Sequence, residues 1–394
     1  MWISSTYLDG MPFRFKTAPP GVDVRSEVLT TADRREVRAL YWTPAGPPPK
    51  IAVVAMHPRI DFTHHYTFPG LLAAGIGCLG AMSRNLGDDT DTIHEDLVLD
   101  VAACVRWLSE RVETVVLLGN CGGGSLMGLY QSQAEAAPAE RIARTPGGRR
   151  SFLREAPLPK AAGLVIHAAH RGQGRVLLRT IDPSVTDEAD PLSVDPSLDP
   201  YDPRNGFVRG SWSTYDPAFV ARYREAQRAR VERLDGVARG LLAERKAAKG
   251  TDERRAHLAR LMVIYRTSAS LESLDRTLDP SNRDYGTLLS EQPEIQNLER
   301  LGYARVLTPE AWLSTWSGLS SNADLAVTLR GVGVPVLLVH AGADREVLNS
   351  DLAAMQQARP DATVVTFETA RHYFEPDRQP MNEALAGWIR ERFA

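Results

Sequence analysis

Cys121 sits in "VVLLGNCGGGSL", residues 115 to 126, where an apolar run meets a knot of glycines. Gly119 and Gly123 flank it at two residues on either side, a G-x-C-x-G spacing suited to a strand that turns sharply into a helix. A side chain at the tip of such a turn is thrust outward. The helix start behind it presents unpaired N–H groups and the positive end of a dipole, and both favour a thiolate. The chemistry on offer is attack by sulfur on a carbonyl carbon. The same residues also read as a small side chain filling a tight bend, and the turn alone does not separate the two readings. A phosphate cradle fits less well, because "GNCGGGS" has neither the GxGxxG spacing nor a Walker lysine.

Two distant residues favour chemistry. Asp344 lies in "ADREV", just after the apolar run "VPVLLVHAG", and His372 lies in "TARHYFEP", just after "TVVTFE". A thiol needs a base or a cationic partner near neutral pH; an imidazole supplies either, and a carboxylate fixes its tautomer. Glu346 could take the acid's place if the turn is shifted by two residues. Asp344 could equally cap the next helix, and a solitary His372 could be structural. It is the three together, each behind a run of strand character, that point to a Cys-His-Asp triad.

These residues need a scaffold that brings the ends of several strands together. Residues 24–30 and 36–43 are β-rich and separated by a polar turn, which predicts an antiparallel pair. Continuous apolar runs at 51–57, 75–83, 114–120, 161–168, 334–342 and 363–368 read as strands buried on both faces. Helical periodicity fills several of the gaps, most clearly at 94–112, where Leu97, Val101, Cys104, Val105 and Leu108 share a face. Strand–helix alternation predicts a mostly parallel mixed sheet with helices on both faces. The alternation stops between 169 and 320. A stretch dense in Asp and Pro comes first, and helical character follows at 216–267. The predicted organisation is a core of residues 1–168 and 321–394 interrupted by a large, mainly helical cap of residues 169–320.

The chain resembles the α/β-hydrolase fold, in which nucleophile, acid and histidine follow in this order, and "GNCGGG" is similar to the cysteine elbow of dienelactone hydrolases. The resemblance covers 24–168 and 321–394 as an architecture. Polyhydroxyalkanoate synthases also carry cysteine at such an elbow, but their extended signatures around acid and histidine are missing here. The resemblance implies an oxyanion hole built from the N–H of Gly122 and a donor in the loop "MHPRIDFTHHYTFPG" (56–70). Pro58 has no N–H, so Arg59 is the nearest candidate. The Arg59 side chain reads either as a hook for a substrate carboxylate or carbonyl or as an ordinary surface arginine. The resemblance also sets the cap above the elbow, where His57, Trp212, Trp312 and Trp316 are candidate substrate contacts. Such a pocket suits a bulky, partly apolar small molecule.

Composition narrows the rest. A net charge of -3, with 43% hydrophobic and 24% charged residues, gives no reason to expect a nucleic-acid or membrane partner. His57, His64 and His65 lack the spacing of a metal site, so neither metal nor cofactor is expected. The three cysteines, Cys78, Cys104 and Cys121, show no CxxC pattern, and disulfides are not expected. The first sixteen residues lack a leader pattern and no apolar run reaches membrane-span length, so a cytoplasmic location is expected. The sequence leaves a homo-oligomer open. The expected activity is hydrolysis of an ester, lactone or thioester through an acyl-cysteine. Its rivals are acyl transfer or C–C bond hydrolysis on the same triad, and a non-catalytic binding protein on the same fold.

Overall fold

The computed structural model describes residues 13–299 and 302–394. Most of the N-terminal segment read above for a leader falls on residues 1–12, outside the described residues. Eight runs of strand character join one sheet: β1 (Asp23–Thr30), β2 (Glu36–Thr43), β3 (Ile51–His57), β4 (Gly77–Met82), β5 (Thr114–Asn120), β6 (Gly163–His167), β7 (Val336–Ala341) and β8 (Thr363–Phe367). Their order is β1-β2-β4-β3-β5-β6-β7-β8. β2 runs antiparallel to both its neighbours, and the other pairings are parallel.

Every residue of β3 and β6 is buried because helices cover both faces of the sheet. Val54, Leu117, Leu164 and Leu338 point to one face, where α2 (His94–Ser109) and α3 (Gly122–Glu135) close the core. Val53, Val116, Val165 and Leu337 point to the other, against α1 (Phe68–Ala73) and the C-terminal helix. The apolar face read at 94–112 is the one α2 buries. β5 lies near the middle of the sheet, so whatever follows Asn120 stands at the centre of its carboxyl rim.

The insertion between β6 and β7 begins with α4 (Gln173–Thr180) and is dominated by the 32-residue α5 (Pro217–Ala248). Asp216 caps α5 through the Ala218 N–H at 2.8 Å, with Pro217 in the first turn. The Asp-Pro steps before it each make a local turn: Asp182, Asp190, Asp195, Asp199 and Asp202 accept the N–H two residues on, at 2.8–3.0 Å. The helical expectation for 216–267 holds only in part. α5 ends before Gly250, whose φ of +78° turns the chain, and Met262–Val263 instead pairs as a short strand with Val306–Leu307. Among the described residues, no helix is long and apolar enough to cross a membrane.

Buried ionic groups hold the insertion in shape. The Asp182 carboxylate, fully buried, accepts from Arg266 Nε at 2.7 Å and from Asn297 Nδ2 at 3.0 Å. Removing it leaves the Arg266 guanidinium only its longer ion pair with Asp199 at 3.6 Å, so Asp182→Ala should cost about 3–5 kcal/mol in denaturant unfolding, with loss beginning in the insertion. A change below about 1 kcal/mol would mean that the pair does not anchor this region.

Candidate active site

At the end of β5 the backbone of Cys121 adopts φ 53° and ψ −128°, a conformation that costs energy for any residue with a Cβ. The Cys121 N–H donates to Ala168 O at 3.1 Å, tying the bend to the chain leaving β6. Small neighbours are obligatory here. A Cβ on Gly119 would stand 2.6 Å from Gly124 Cα, and one on Gly123 would stand 2.5 Å from the backbone oxygen of Met56. Cys121 as a residue is partly exposed, whereas Cys78 and Cys104 are buried.

The structure brings His372 and Asp344 to this bend. His372 Nδ1 donates to Asp344 Oδ2 at 2.6 Å, and the imidazole lies close enough to the Cys121 sulfur for each to shift the other's titration. The other Asp344 oxygen accepts the N–H groups of Glu346 at 2.8 Å and Val347 at 3.2 Å, which lock the carboxylate in place. Burial opposes charge on both partners. Even so, His372 holds Asp344 below the usual carboxylate range, and Asp344 holds His372 well above the usual imidazole range. Glu346 makes no bond to the imidazole. It accepts from Tyr303 Oη at 2.8 Å and lies close to the sulfur.

A depressed thiol pKa, expected from the helix start, is not what the site produces. Burial first, and then the nearby Glu346 carboxylate, push the Cys121 thiol above its ordinary range, although His372 and the Gly122 N–H pull the other way. Moving a proton from the sulfur to His372 would leave the summed charge of the two groups unchanged beside the fixed carboxylate.

Arg59 requires a correction. Its backbone N–H donates to His57 Nδ1 at 3.1 Å, as does that of Ile60 at 3.1 Å, so it does not stand as the free donor that the loop sequence suggested. The loop folds back because Pro58 forces a turn directly after His57. The Arg59 side chain pairs with Asp89 at 2.7 Å and lies 5.5 Å from the ring centres of both Tyr303 and Trp316, forming part of the cavity wall. With two N–H groups aimed at Nδ1, the ring proton of His57 sits on Nε2. Burial, reinforced by Arg59, keeps this imidazole neutral, with a pKa well below its usual range. Its Nε2 is 2.8 Å from where a Cβ on Gly122 would begin, beside the elbow. The Gly122 N–H, the other expected donor, is near enough to favour charge on the Cys121 sulfur.

Cys121 lines a cavity together with His57, Phe62, Val176, Trp316 and His372 among others. Two expected contacts are elsewhere. Trp312 is fully buried in the cap, its indole N–H on Asp235 Oδ1 at 2.7 Å. Trp212 packs edge-on against Tyr285 beneath Arg276 and Arg283. His64 and His65 do not join His57; His65 is held by Thr67 Oγ1 at 2.8 Å and Asn120 Oδ1 at 3.2 Å.

Sequence reasoning missed His170, Gln173 and Tyr303, and it weighed Glu346 only as an orienting acid. His170 and Gln173 follow β6 in "AAHRGQG", and the strand adjoining the elbow was the available signal. Burial keeps His170 neutral, down to about 4, and its Nδ1 has no hydrogen-bonding partner among the described residues. Ligand atoms of Cys121, His170 and Glu346 lie within 4.8 Å of one another, a set able to hold a metal ion.

No protein-family model matches this sequence, and no curated protein matches it. Solved structures do match in three dimensions. A hypothetical protein of Pseudomonas aeruginosa superposes with a TM-score of 0.53 at 13% identity over 96% of each chain. The α/β hydrolase GrgF of Penicillium sp. sh18 superposes at 0.50 and 13% identity over 93% of this chain and 98% of its own. Brefeldin A esterase, described as a bacterial homologue of human hormone-sensitive lipase, gives 0.47 at 14% identity over 98% and 82%. With the strand order and the strained elbow after β5, the superpositions on the Pseudomonas protein and on GrgF establish that the chain has the α/β-hydrolase fold.

Proposed function

We propose that the protein hydrolyses an ester, lactone or thioester of a bulky, partly apolar small molecule through an acyl-cysteine. The observation that carries this reading is the line from the Cys121 sulfur through His372 to Asp344 at the floor of the cavity. His372 takes the thiol proton as sulfur attacks the carbonyl carbon. The new oxyanion is held by the Gly122 N–H and by the Nε2–H of His57, which replaces the backbone donor that Pro58 and Arg59 fail to supply. Collapse breaks the bond to the alcohol or thiol, which leaves with the proton from His372. Water then attacks the acyl-Cys121, His372 taking its proton and returning it to sulfur as the acid departs. Every proton begins and ends on groups of the chain or of the reactants.

Trapping tests it. Acid quenching within the first turnovers on p-nitrophenyl butyrate, a δ-lactone and an N-acetylcysteamine thioester should add the acyl mass to the Cys121 peptide for at least one of them. Cys78 and Cys104 should stay unmodified. Turnover with no adduct at any quench time, together with full activity in Cys121→Ala, would overturn the mechanism. Acyl products that appear only when an alcohol, amine or thiol is supplied would assign transfer in place of hydrolysis.

A further inference from the structure

The cavity above the sulfur does not end at its apolar wall. A second chamber adjoins it, and Val176, Leu288, Leu289, Tyr303 and Glu346 line both. A molecule whose carbonyl sits at Cys121 can therefore extend past these side chains into a space that differs in character.

Three of the four charged groups of the second chamber have ionic partners, and the fourth, Glu346, accepts from Tyr303 Oη. Arg179 is bonded to Asp351 at 3.1 Å and to Glu346 O at 2.7 Å. Glu272 is paired with Arg224, and Arg345 lies near Asp284 and Glu291. A charged ligand would have to compete with these partners. Two neutral groups are different. Ser268 Oγ and Gln296 Nε2, on residues only 3% and 2% exposed, have no hydrogen-bonding partner among the described residues. Both residues line this chamber. The rest of each is fixed: Gln296 Oε1 accepts from Thr287 Oγ1 at 2.7 Å, and the Ser268 N–H donates to Asn297 Oδ1 at 2.9 Å. The amide N–H₂ of Gln296 is thereby oriented as a donor, and the Ser268 hydroxyl serves as donor or acceptor. A buried polar group left unmade is costly, and the cost is recovered when a ligand supplies the partner.

We propose that this second chamber is a subsite for an uncharged oxygen function, a ketone or hydroxyl, on the part of the substrate remote from the scissile carbonyl. The proposal rests on the hydrolase reading for the identity of the first chamber. It narrows the substrate class to esters, lactones or thioesters whose chain bears a second oxygen at a fixed distance. A ketone oxygen takes hydrogen bonds from Gln296 Nε2 and Ser268 Oγ; a hydroxyl accepts from Gln296 and donates to Ser268.

The test is calorimetric binding to full-length Cys121→Ala protein, which carries no sulfur nucleophile. Methyl esters of straight-chain acids of five to ten carbons are compared with the same esters carrying a ketone one carbon from the chain end. At one chain length the keto ester should bind about tenfold or more tightly than its plain counterpart, as two neutral hydrogen bonds of roughly 0.5–1.5 kcal/mol each allow. Adding Gln296→Leu or Ser268→Ala should shrink that ratio towards one while plain esters bind at least as tightly, which also reports that the chamber has folded. Equal affinities at every length, no saturable binding of any keto ester, or a preference that survives both substitutions would overturn the subsite. Failure here leaves acyl-Cys121 trapping untouched, and failure of trapping leaves this binding preference untouched.

Discussion

Cys121→Ala should lower kcat/KM by about 10⁴-fold or more, and Cys121→Ser should retain a measurable fraction of the lost activity. Alanine removes only Sγ from a position whose strained φ of 53° is the same for both residues, so the unfolding midpoint should move little. Serine restores an atom that His372 can deprotonate in the same place, held by the same Asp344. A scaffold role for the cysteine predicts the reverse: activity kept in both variants. The thiol's own titration gives an independent readout. Burial and the Glu346 carboxylate both disfavour the thiolate, so the rate of iodoacetamide alkylation at Cys121 should reach half-maximum at a higher pH than for an ordinary thiol. Glu346→Gln removes the negative neighbour while keeping an oxygen for Tyr303, so the midpoint should move down. It should not return fully to the ordinary value, because burial remains the larger cause. An unchanged or raised midpoint would mean that Glu346 does not act on the sulfur.

The sheet was legible because burial on both faces leaves an unmistakable trace, an apolar run with no alternation, and β3, β5, β6 and β7 all carry it. Cys121 and Asp344 stood out because each follows such a run; 363–368, read the same way, is instead the half-buried edge strand β8, and His372 is found because strand ends on one rim are close in space whatever their separation in sequence. The cap resisted for a related reason. Trp312 and Trp316 are four residues apart, and composition gives them equal claims on the cavity. One turns towards α5 and Asp235, the other towards the sulfur, and tertiary packing alone decides which. The Asp-Pro steps were readable as breaks because each turn is made by the two residues that spell it. Where the cap's long helix ends was harder to see, since Gly250 overrides a polar, helix-favouring stretch on both sides. The thiol's electrostatics were misread because a helix start was visible in the sequence while the distant Glu346 was not seen as the sulfur's neighbour.

The oxyanion donor is where the sequence came nearest and still missed, and it carries the second large effect. Proline after His57 was correctly read as the loss of one N–H, but the turn it imposes also sends the next two N–H groups back onto the His57 ring. The polar hydrogen that this ring still offers, on Nε2, lies at the edge of the elbow. His57→Asn and His57→Gln separate this role from simple packing. The asparagine amide can reach the Nδ1 position and keep the loop bonded, but it places nothing at Nε2; glutamine reaches the Nε2 position and can donate there. Asparagine should therefore lower kcat by about 10²–10³-fold with KM nearly unchanged, the signature of a bond made only in the transition state. Glutamine should stay within about tenfold of the native rate, since it keeps a neutral donor there. Were a backbone N–H the second donor, the order would invert, because asparagine preserves the loop that positions it and glutamine does not. Equal, small losses in both variants would leave Gly122 as the sole donor and remove His57 from the mechanism.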